Sequence, residues 1–253
     1  MSAAECASLA GLAWPPGHAK NGGMAKPLCV VLGIGPKNGA AFARKFAREG
    51  YQLALVSRQT QLSLALAAEL GDASAYACDV SDPVSVQRTF EAIRRDRGVP
   101  EVLVYNAGSG VWKTAEELTP SEFEQSFKIN ALGLLSAAQQ VLPGMRERGR
   151  GQIVVVGATA SLRGRPKTAA FAAAKAAQRS LAQSLARQCA PEGIHVTLLI
   201  IDGAIDAAGA AADSAQAKKL RPEDIANEAF HLVRQDSSAW TFELDLRPRH
   251  ETW

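Results

Sequence analysis

The chain has 253 residues, of which 47% are hydrophobic and 21% charged, and its formal net charge is +3. This length and composition are typical of one globular α/β domain. No apolar run reaches the roughly 18 residues of a membrane helix. The short basic runs at 94–97 and 146–150 lack the interleaved aromatic residues of a nucleic-acid surface. We therefore expect neither a membrane nor a nucleic-acid partner.

Residues 1–25 mix Ala, Gly, Pro and Ser and lack the basic start and apolar core of a signal peptide. Met24 stands just before the first apolar run. We expect this prefix to be a disordered or non-native extension, and residues 26–253 to form the folded domain. The cysteine spacing fits no metal site and suits free thiols in a reducing cytoplasm. The four cysteines are Cys6, Cys29, Cys78 and Cys189.

Apolar runs and amphipathic segments alternate along the rest of the chain. Strands are predicted at Leu28–Leu32, Gln52–Val56, Ala73–Ala77, Glu101–Tyr105, Gln152–Val156, Ile194–Ile201 and Ala239–Leu246. Helices are predicted at Ala40–Glu49, Gln61–Leu70, 82–96, 120–148, Thr168–Cys189 and Pro222–Arg234. This alternation predicts a single Rossmann-like, doubly wound, seven-stranded parallel sheet with helices on both faces, and a ligand site at the carboxyl ends of its strands.

The loop between the first strand and the first helix is rich in glycine. It reads Gly33-Ile34-Gly35-Pro36-Lys37-Asn38-Gly39-Ala40-Ala41. We expect Gly35 to allow a sharp turn and Gly39 to let the backbone approach a pyrophosphate, which the N–H groups at the helix start would bind. A plain glycine turn is the alternative, but the position between strand and helix favours dinucleotide binding.

Gly35-x3-Gly39-x-Ala41 resembles the Gly-x3-Gly-x-Gly loop of the short-chain dehydrogenase/reductase family, with alanine in place of the last glycine. Tyr105-Asn106-Ala107-Gly108, Cys78-Asp79-Val80 and Lys128-Ile129-Asn130-Ala131 resemble further motifs of that family. The resemblance implies a dinucleotide-dependent oxidoreductase. The cofactor-binding residues that we expect are Gly35, Lys37, Asn38, Gly39, Ala40, Arg58, Asp79, Val80, Asn106, Ala107, Gly108, Lys175, Gly203 and Ile205.

The end of the second strand predicts which dinucleotide binds. A site for NAD places Asp or Glu there, because a carboxylate binds the ribose hydroxyls. Here the strand ends in Val56-Ser57-Arg58, and no carboxylate follows until Glu69. Arg58 and Lys37 together would bind a 2′-phosphate, so we predict NADP(H). Two exposed cations near a helix start are the alternative.

The catalytic residues of the family are only partly present. The resemblance implies a tyrosine that donates a proton, a lysine four residues later that binds the nicotinamide ribose, and a serine thirteen residues before the tyrosine. Lys175 and the active-site asparagine, Asn130, match the family. Phe171 stands at the tyrosine position and Ala158 at the serine position. The chain therefore resembles an atypical member in which both oxygen-binding residues are replaced.

Other side chains are candidates for the missing proton donor. Asp202 would serve if its pKa were raised beside the cofactor, or it caps its own turn instead. Thr159 and Ser161 lie near the serine position and either face inward or remain turn hydroxyls. Lys175 would donate a proton if it were desolvated. Tyr105 ends a strand and is expected to pack.

The sequence leaves two functions open. One is an NADP(H)-dependent oxidoreductase with a non-standard proton donor, acting on a small, fairly apolar carbonyl, alcohol or related substrate. The other is a catalytically inactive NADP(H)-binding sensor or supporting subunit. Asn130 and Lys175 favour the enzyme, whereas the loss of both oxygen-binding residues favours the sensor. The resemblance also implies a homodimer or homotetramer, built on the helices at 120–148 and 168–190.

Overall fold

The computed structural model describes residues 26–207 and 219–251. The expected extension at 1–25 lies outside the described residues. Among the described residues, no helix is long and apolar enough to cross a membrane. Nor do they contain a cluster of three or more His, Cys, Asp or Glu side chains suited to a metal ion.

Seven parallel strands form one sheet in the order β3-β2-β1-β4-β5-β6-β7. β1 and β6 are buried along their whole length, because helices cover both faces of the sheet. The predicted fold class is confirmed. The strands are β1 Leu28–Leu32, β2 Gln52–Ser57, β3 Ala73–Ala77, β4 Val102–Tyr105, β5 Gly151–Val156, β6 Ile194–Ile201 and β7 Glu243–Leu246.

The described residues include seven α-helices, and six of them cover the faces of the sheet. Side chains of α1, α2 and α7 build the core on one face, and those of α3, α5 and α6 build the core on the other. β1 and β4 are neighbours in the sheet although two strands lie between them in sequence, so the direction of winding reverses there. A crevice at this reversal is where such sheets bind ligands. The helices are α1 Asn38–Arg48, α2 Gln61–Leu70, α3 Pro83–Arg97, α4 Pro120–Phe127, α5 Gly133–Arg148, α6 Ala169–Cys189 and α7 Pro222–Val233.

The helix predicted at 120–148 contains a π-helical segment, Lys128–Leu132, between α4 and α5. Wider turns of this kind change the hydrogen-bond partners of the backbone and often lie at functional sites. Side chains bind two of its carbonyl groups. The Tyr105 hydroxyl donates to the carbonyl of Ile129 at 2.5 Å, and the Gln178 amide donates to that of Asn130 at 2.9 Å. The predicted packing role of Tyr105 thus includes support of this segment.

Two element boundaries differ from the sequence prediction by more than one residue. α1 begins at Asn38 rather than Ala40, so the helix starts within the glycine-rich loop. β7 begins at Glu243 rather than Ala239. The reason is a 3₁₀ turn at Ser237–Ala239, which the Asp236 carboxylate caps by accepting a hydrogen bond from the Ser238 N–H at 2.9 Å.

Candidate functional site

Three adjoining cavities follow the carboxyl ends of the strands. The largest, the cleft, has a volume of about 710 Å³ and lies at the ends of β4, β5 and β6. The inner cavity, of about 210 Å³, lies at the ends of β1 to β4, and the outer cavity, of about 590 Å³, lies beside the start of α2. Asn106 and Gly108 line both the cleft and the inner cavity. Ile34, Ser57 and Arg58 line both the inner and the outer cavity, so the three together suit an elongated ligand.

Gly33 forms the tight turn after β1. Its φ of +101° favours glycine, and a Cβ there would lie 2.5 Å from the backbone nitrogen of Ala107. Gly35 has no positive φ and no neighbouring atom within 4 Å of a Cβ position, so the prediction that it allows the sharp turn is wrong. A Cβ on Gly39 would lie 2.7 Å from the carbonyl oxygen of Gly33. Glycine at that position therefore lets α1 pack against the loop.

The start of α1 presents polar groups to the cleft. Asn38 is 7% exposed, and its Oδ1 has no hydrogen-bond partner among the described residues. The backbone N–H of Ala40 donates to the carbonyl of Gly35 at 3.0 Å. The amide of Asn106 donates to the carbonyl of Gly33 at 2.7 Å and joins the end of β4 to the loop. A buried amide oxygen without a partner, beside a helix N-terminus, fits a site that a polar ligand completes.

Arg58, Asp79 and Val80 line the inner cavity. The Asp79 carboxylate accepts hydrogen bonds from the hydroxyl and the N–H of Ser81 at 2.7 and 2.9 Å, and these bonds lower the pKa of Asp79. The positive charge of Arg58 lowers that pKa further. Arg58 itself is exposed and has no ion pair among the described residues. It therefore remains free to bind an anion at this end of the site.

Lys37 lies in a different part of the site. Its ammonium donates to the carbonyl of Ile205 at 2.6 Å, and the side chain lines the cleft rather than either of the other cavities. The structure therefore does not bring Lys37 and Arg58 to one phosphate position, contrary to the sequence prediction. Gly203 turns the loop after β6 with a φ of +151°, where a Cβ would lie 2.6 Å from Cδ of Pro248.

Lys175 lies at the base of the cleft and is only 5% exposed. Its ammonium donates to the carbonyl of Val156 at 2.8 Å and to Oε1 of Gln178 at 2.9 Å. Both partners are uncharged, and burial lowers the pKa of Lys175 to about 7. A Cβ on Gly108 would lie 3.6 Å from Nζ, so the strand-end glycine leaves room beside the ammonium.

Asn130 is fully buried in the π segment, beside the cleft. Its amide nitrogen lies 3.3 Å from the Ser109 hydroxyl, and its Oδ1 has no partner among the described residues. The Gln178 amide binds the Asn130 carbonyl with its nitrogen and the Lys175 ammonium with its oxygen. The structure thus brings together the two family-matching residues, through a glutamine that the motifs did not identify.

Phe171 and Ala158 both line the cleft and present only carbon to it. The rings of Phe171 and Trp112 have centroids 5.6 Å apart and planes inclined by 49°. We call this pair the aromatic wall. The Lys175 ammonium lies 5.9 Å from the centroid of the Phe171 ring. Trp112 is 65% exposed, so one side of the wall is open to a ligand.

Asp202 is buried at the end of β6 and is surrounded by donors. Its carboxylate accepts the Thr159 hydroxyl at 2.5 Å and lies 3.1 Å from the Arg247 guanidinium and 3.7 Å from that of Arg163. These bonds join the loops that follow β5, β6 and β7. Asp202 is therefore engaged as an acceptor, and Thr159 donates to it. The Ser161 hydroxyl accepts from the N–H of Ala158 at 3.2 Å, as a turn hydroxyl does.

The sequence motifs did not single out four side chains of this site, although Ser109 and Arg163 lie in the ranges 109–114 and 160–168 that we expect to govern specificity. Ser109 keeps its O–H free, since it only accepts from Asn130 among the described residues. Gln178 had a readable signal, because it stands three residues after Lys175 and shares its helix face. The contacts of Arg163 and Arg247 with Asp202 had none, because only the folded chain brings their loops together.

The sequence model described as short chain dehydrogenase matches residues 29–219. The glycine betaine reductase ATRR of Emericella nidulans is 28% identical over 244 residues, which cover 91% of this chain. The same match covers 19% of the reductase, so this chain spans about a fifth of that relative's length.

Solved structures show the same architecture. A short-chain dehydrogenase from Rhodopseudomonas palustris is 31% identical with a TM-score of 0.78, over 88% of this chain and 98% of that one. An alcohol dehydrogenase from the archaeon Thermococcus sibiricus, complexed with 5-hydroxy-NADP, is 25% identical with a TM-score of 0.80, over 90% and 98% of the two chains.

Proposed function

The chain belongs to the short-chain dehydrogenase family, and from that premise we propose that it is an NADP(H)-dependent oxidoreductase with a non-standard proton donor. Its substrate is a small, largely apolar carbonyl, alcohol or related compound. The observation that carries the proposal is the continuity of the three cavities, with Lys175 at the base of the cleft and Arg58 at the opposite end.

The residues of these cavities fit a phosphorylated dinucleotide. Arg58 is unpaired where an NAD site would carry a carboxylate, and a guanidinium binds phosphate well. The unpartnered Oδ1 of Asn38 and the close packing at Gly33 and Gly39 suit a ligand that approaches the backbone at the helix start. The alcohol dehydrogenase complexed with 5-hydroxy-NADP supports this choice of cofactor. The proposed cofactor contacts are Gly35, Lys37, Asn38, Gly39, Ala40, Arg58, Asp79, Val80, Asn106, Ala107, Gly108, Lys175, Gly203 and Ile205.

When bound, the dinucleotide supplies the hydride. Lys175 is the proton donor that we favour, because a pKa of about 7 suits proton transfer near neutral pH. Thr159 and Asp202 are bonded to each other and are less suited to this role. Ser109, with its free O–H, would donate a hydrogen bond to the substrate oxygen. Asn130 would position this hydroxyl through the 3.3 Å contact.

The second candidate function is an NADP(H)-binding sensor or supporting subunit without turnover. Phe171 and Ala158 favour it, since neither can donate a proton or a hydrogen bond from its side chain. NADPH binding combined with no turnover in a broad carbonyl screen would support this alternative. Oxidoreductase activity that appears only in the double variant Phe171→Tyr, Ala158→Ser would support it further.

We also propose a homodimer or homotetramer. Phe123 on α4 and Leu132 on the π segment are 39% and 36% exposed, which places apolar surface on the helices where we expect the contact. Light scattering at micromolar concentration should give a mass of at least two chains, and a monomer would contradict the proposal.

Cofactor affinity tests the proposed function directly. NADPH should bind the native chain more tightly than NADH, as measured by fluorescence titration. Arg58→Gln should weaken NADPH binding about 10- to 100-fold, because it removes a charge-assisted bond to phosphate, and should leave NADH binding unchanged.

Arg95→Gln is the matched control for this titration. Arg95 lies at the end of α3, with its side chain 73% exposed, and lines none of the three cavities. NADPH affinity should be unchanged in this variant. Tighter binding of NADH than of NADPH to the native chain would overturn the choice of cofactor.

A further inference from the structure

The place where a substrate oxygen would bind lacks the tyrosine and serine hydroxyls of the family pattern, so Lys175 is the acid that we propose there. Lys175 and Ser109 are the donors that face this part of the cleft. The Thr168 hydroxyl is engaged with the backbone of Arg165, at 2.7 and 3.0 Å. Phe171 completes the surroundings with carbon. Because burial lowers the pKa of Lys175 to about 7, only part of this acid carries its proton near neutral pH, and a substrate that needs less help from an acid is favoured.

The groups around the substrate oxygen favour some hydride acceptors over others. Reduction of a simple ketone gives an alkoxide, which is about as basic as hydroxide. Reduction of a quinone gives a phenolate, and a phenol has a pKa of about 10. The phenolate is thus a weaker base by roughly six pKa units, and two hydrogen-bond donors suffice to stabilise it.

The shape of the cleft favours the same class. The Trp112 and Phe171 rings form the aromatic wall beside the Lys175 ammonium, and the exposed Trp112 offers a face for stacking. Offset or inclined stacking on such rings favours a flat, conjugated ligand over a saturated one. Ala158, which also lines the cleft, adds no polar side chain that such a ring would have to desolvate.

On the basis of the proposed function, we propose that the cleft accepts flat conjugated dicarbonyls of the quinone type and reduces them to hydroquinones. One hydride from the reduced nicotinamide dinucleotide brings two electrons, and the quinone becomes the hydroquinone monoanion. A proton from Lys175 or from water completes the hydroquinone. Water then restores the lysine proton, so the reaction consumes one NADPH, one quinone and one proton.

Binding of 1,4-naphthoquinone without any dinucleotide is the first test. Calorimetry should show that Trp112→Leu weakens this binding at least about tenfold, since the stacking face is lost. Trp240→Leu is the matched control, because it makes the same change outside the cleft, at a tryptophan stacked on the His195 ring. Equal affinities of the native chain and Trp112→Leu would overturn the assignment.

The second test compares rates with NADPH, each corrected for the rate without protein. The native chain should reduce 1,4-naphthoquinone at least about 100-fold faster than cyclohexanone, because the ketone depends much more on the tyrosine acid that Phe171 replaces. The double variant Phe171→Tyr, Ala158→Ser should narrow this ratio at least about tenfold by accelerating the ketone reaction.

The outcomes separate the two proposals. Failure to bind NADPH would overturn the proposed function itself. Tight NADPH binding with equal rates for quinone and ketone would overturn the quinone assignment alone.

Discussion

Lys175 and Asp202 are both buried ionisable residues of the same cleft, and their neighbourhoods are opposite. Lys175 is bonded to two uncharged oxygens, those of Val156 and Gln178. Asp202 has a hydroxyl and two guanidinium groups around it. Uncharged partners do not compensate a buried charge fully, whereas opposite charges do. We therefore propose that Lys175 takes part in proton transfer, whereas Asp202 holds together the loops around the cleft.

The largest expected effect is on the pH dependence of stability. Burial lowers the pKa of Lys175 from 10.5 to about 7, so between these values the unfolded chain binds a proton that the folded chain does not. The free energy of unfolding should therefore rise with pH across this window. Lys175 contributes at most about 1.4 kcal/mol per pH unit. Urea unfolding at several pH values should show that Lys175→Met removes this part of the slope, and parallel curves for the two chains would contradict it.

Removal of the Asp202 carboxylate should cost stability at neutral pH. Asp202→Ala removes an acidic partner of Arg247, which is largely buried. Loss of one partner of a buried pair typically costs about 3 kcal/mol. Urea unfolding at pH 7 measures this cost.

Arg163→Gln is the control for the Asp202 region. Its side chain is 44% exposed and lies 3.7 Å from the carboxylate, so its removal should cost no more than about 1 kcal/mol. Equal losses of unfolding free energy in Asp202→Ala and Arg163→Gln would show that the ion pair between Asp202 and Arg247 does not stabilise the fold.

The smallest effect should come from Gln178, whose two variants should act in opposite directions. Gln178→Glu places a carboxylate beside the ammonium and should raise the pKa of Lys175 by about one unit or more, because the charged form gains an opposite charge. Gln178→Leu removes a hydrogen-bond acceptor and should lower it. The ¹³C chemical shift of Lys175 Cε against pH reports both changes without cofactor or substrate.

The ¹³C signal of Lys175 Cε is assigned by its absence from the spectrum of Lys175→Met, which is the control. Charged groups on the packed elements are already paired: on α4, Glu122 with Lys113 and Glu124 with Lys128, and on the helix of Lys175 itself, Arg179 with Glu243. The other charged side chains that line the cleft are Lys37, Arg163, Arg165, Asp202 and Glu251. Shifts of the same sign in the two Gln178 variants would indicate a general loosening of the helix rather than a direct bond.

The regular elements could be predicted because their signals are local. The strand at Leu28–Leu32 and the helix at Gln61–Leu70 follow from patterns in neighbouring residues, and the structure has both with the same bounds. Glycine roles were harder to predict. Gly35 fits the family spacing, but Gly33 makes the turn because the end of β4 approaches it, and that approach is a tertiary contact.

The sequence by itself determined which side chains are available. Phenylalanine and alanine stand at the positions of two oxygen-binding residues, and the lysine of the family pattern is retained. Their chemical identity needs no fold to be read. Only the tertiary structure decided how deeply these side chains are buried and which partners surround them. Burial sets the ionisation of Lys175, while Arg247, distant in sequence, engages Asp202. Electrostatic environment depends on distances across the fold, and those distances are absent from local sequence patterns.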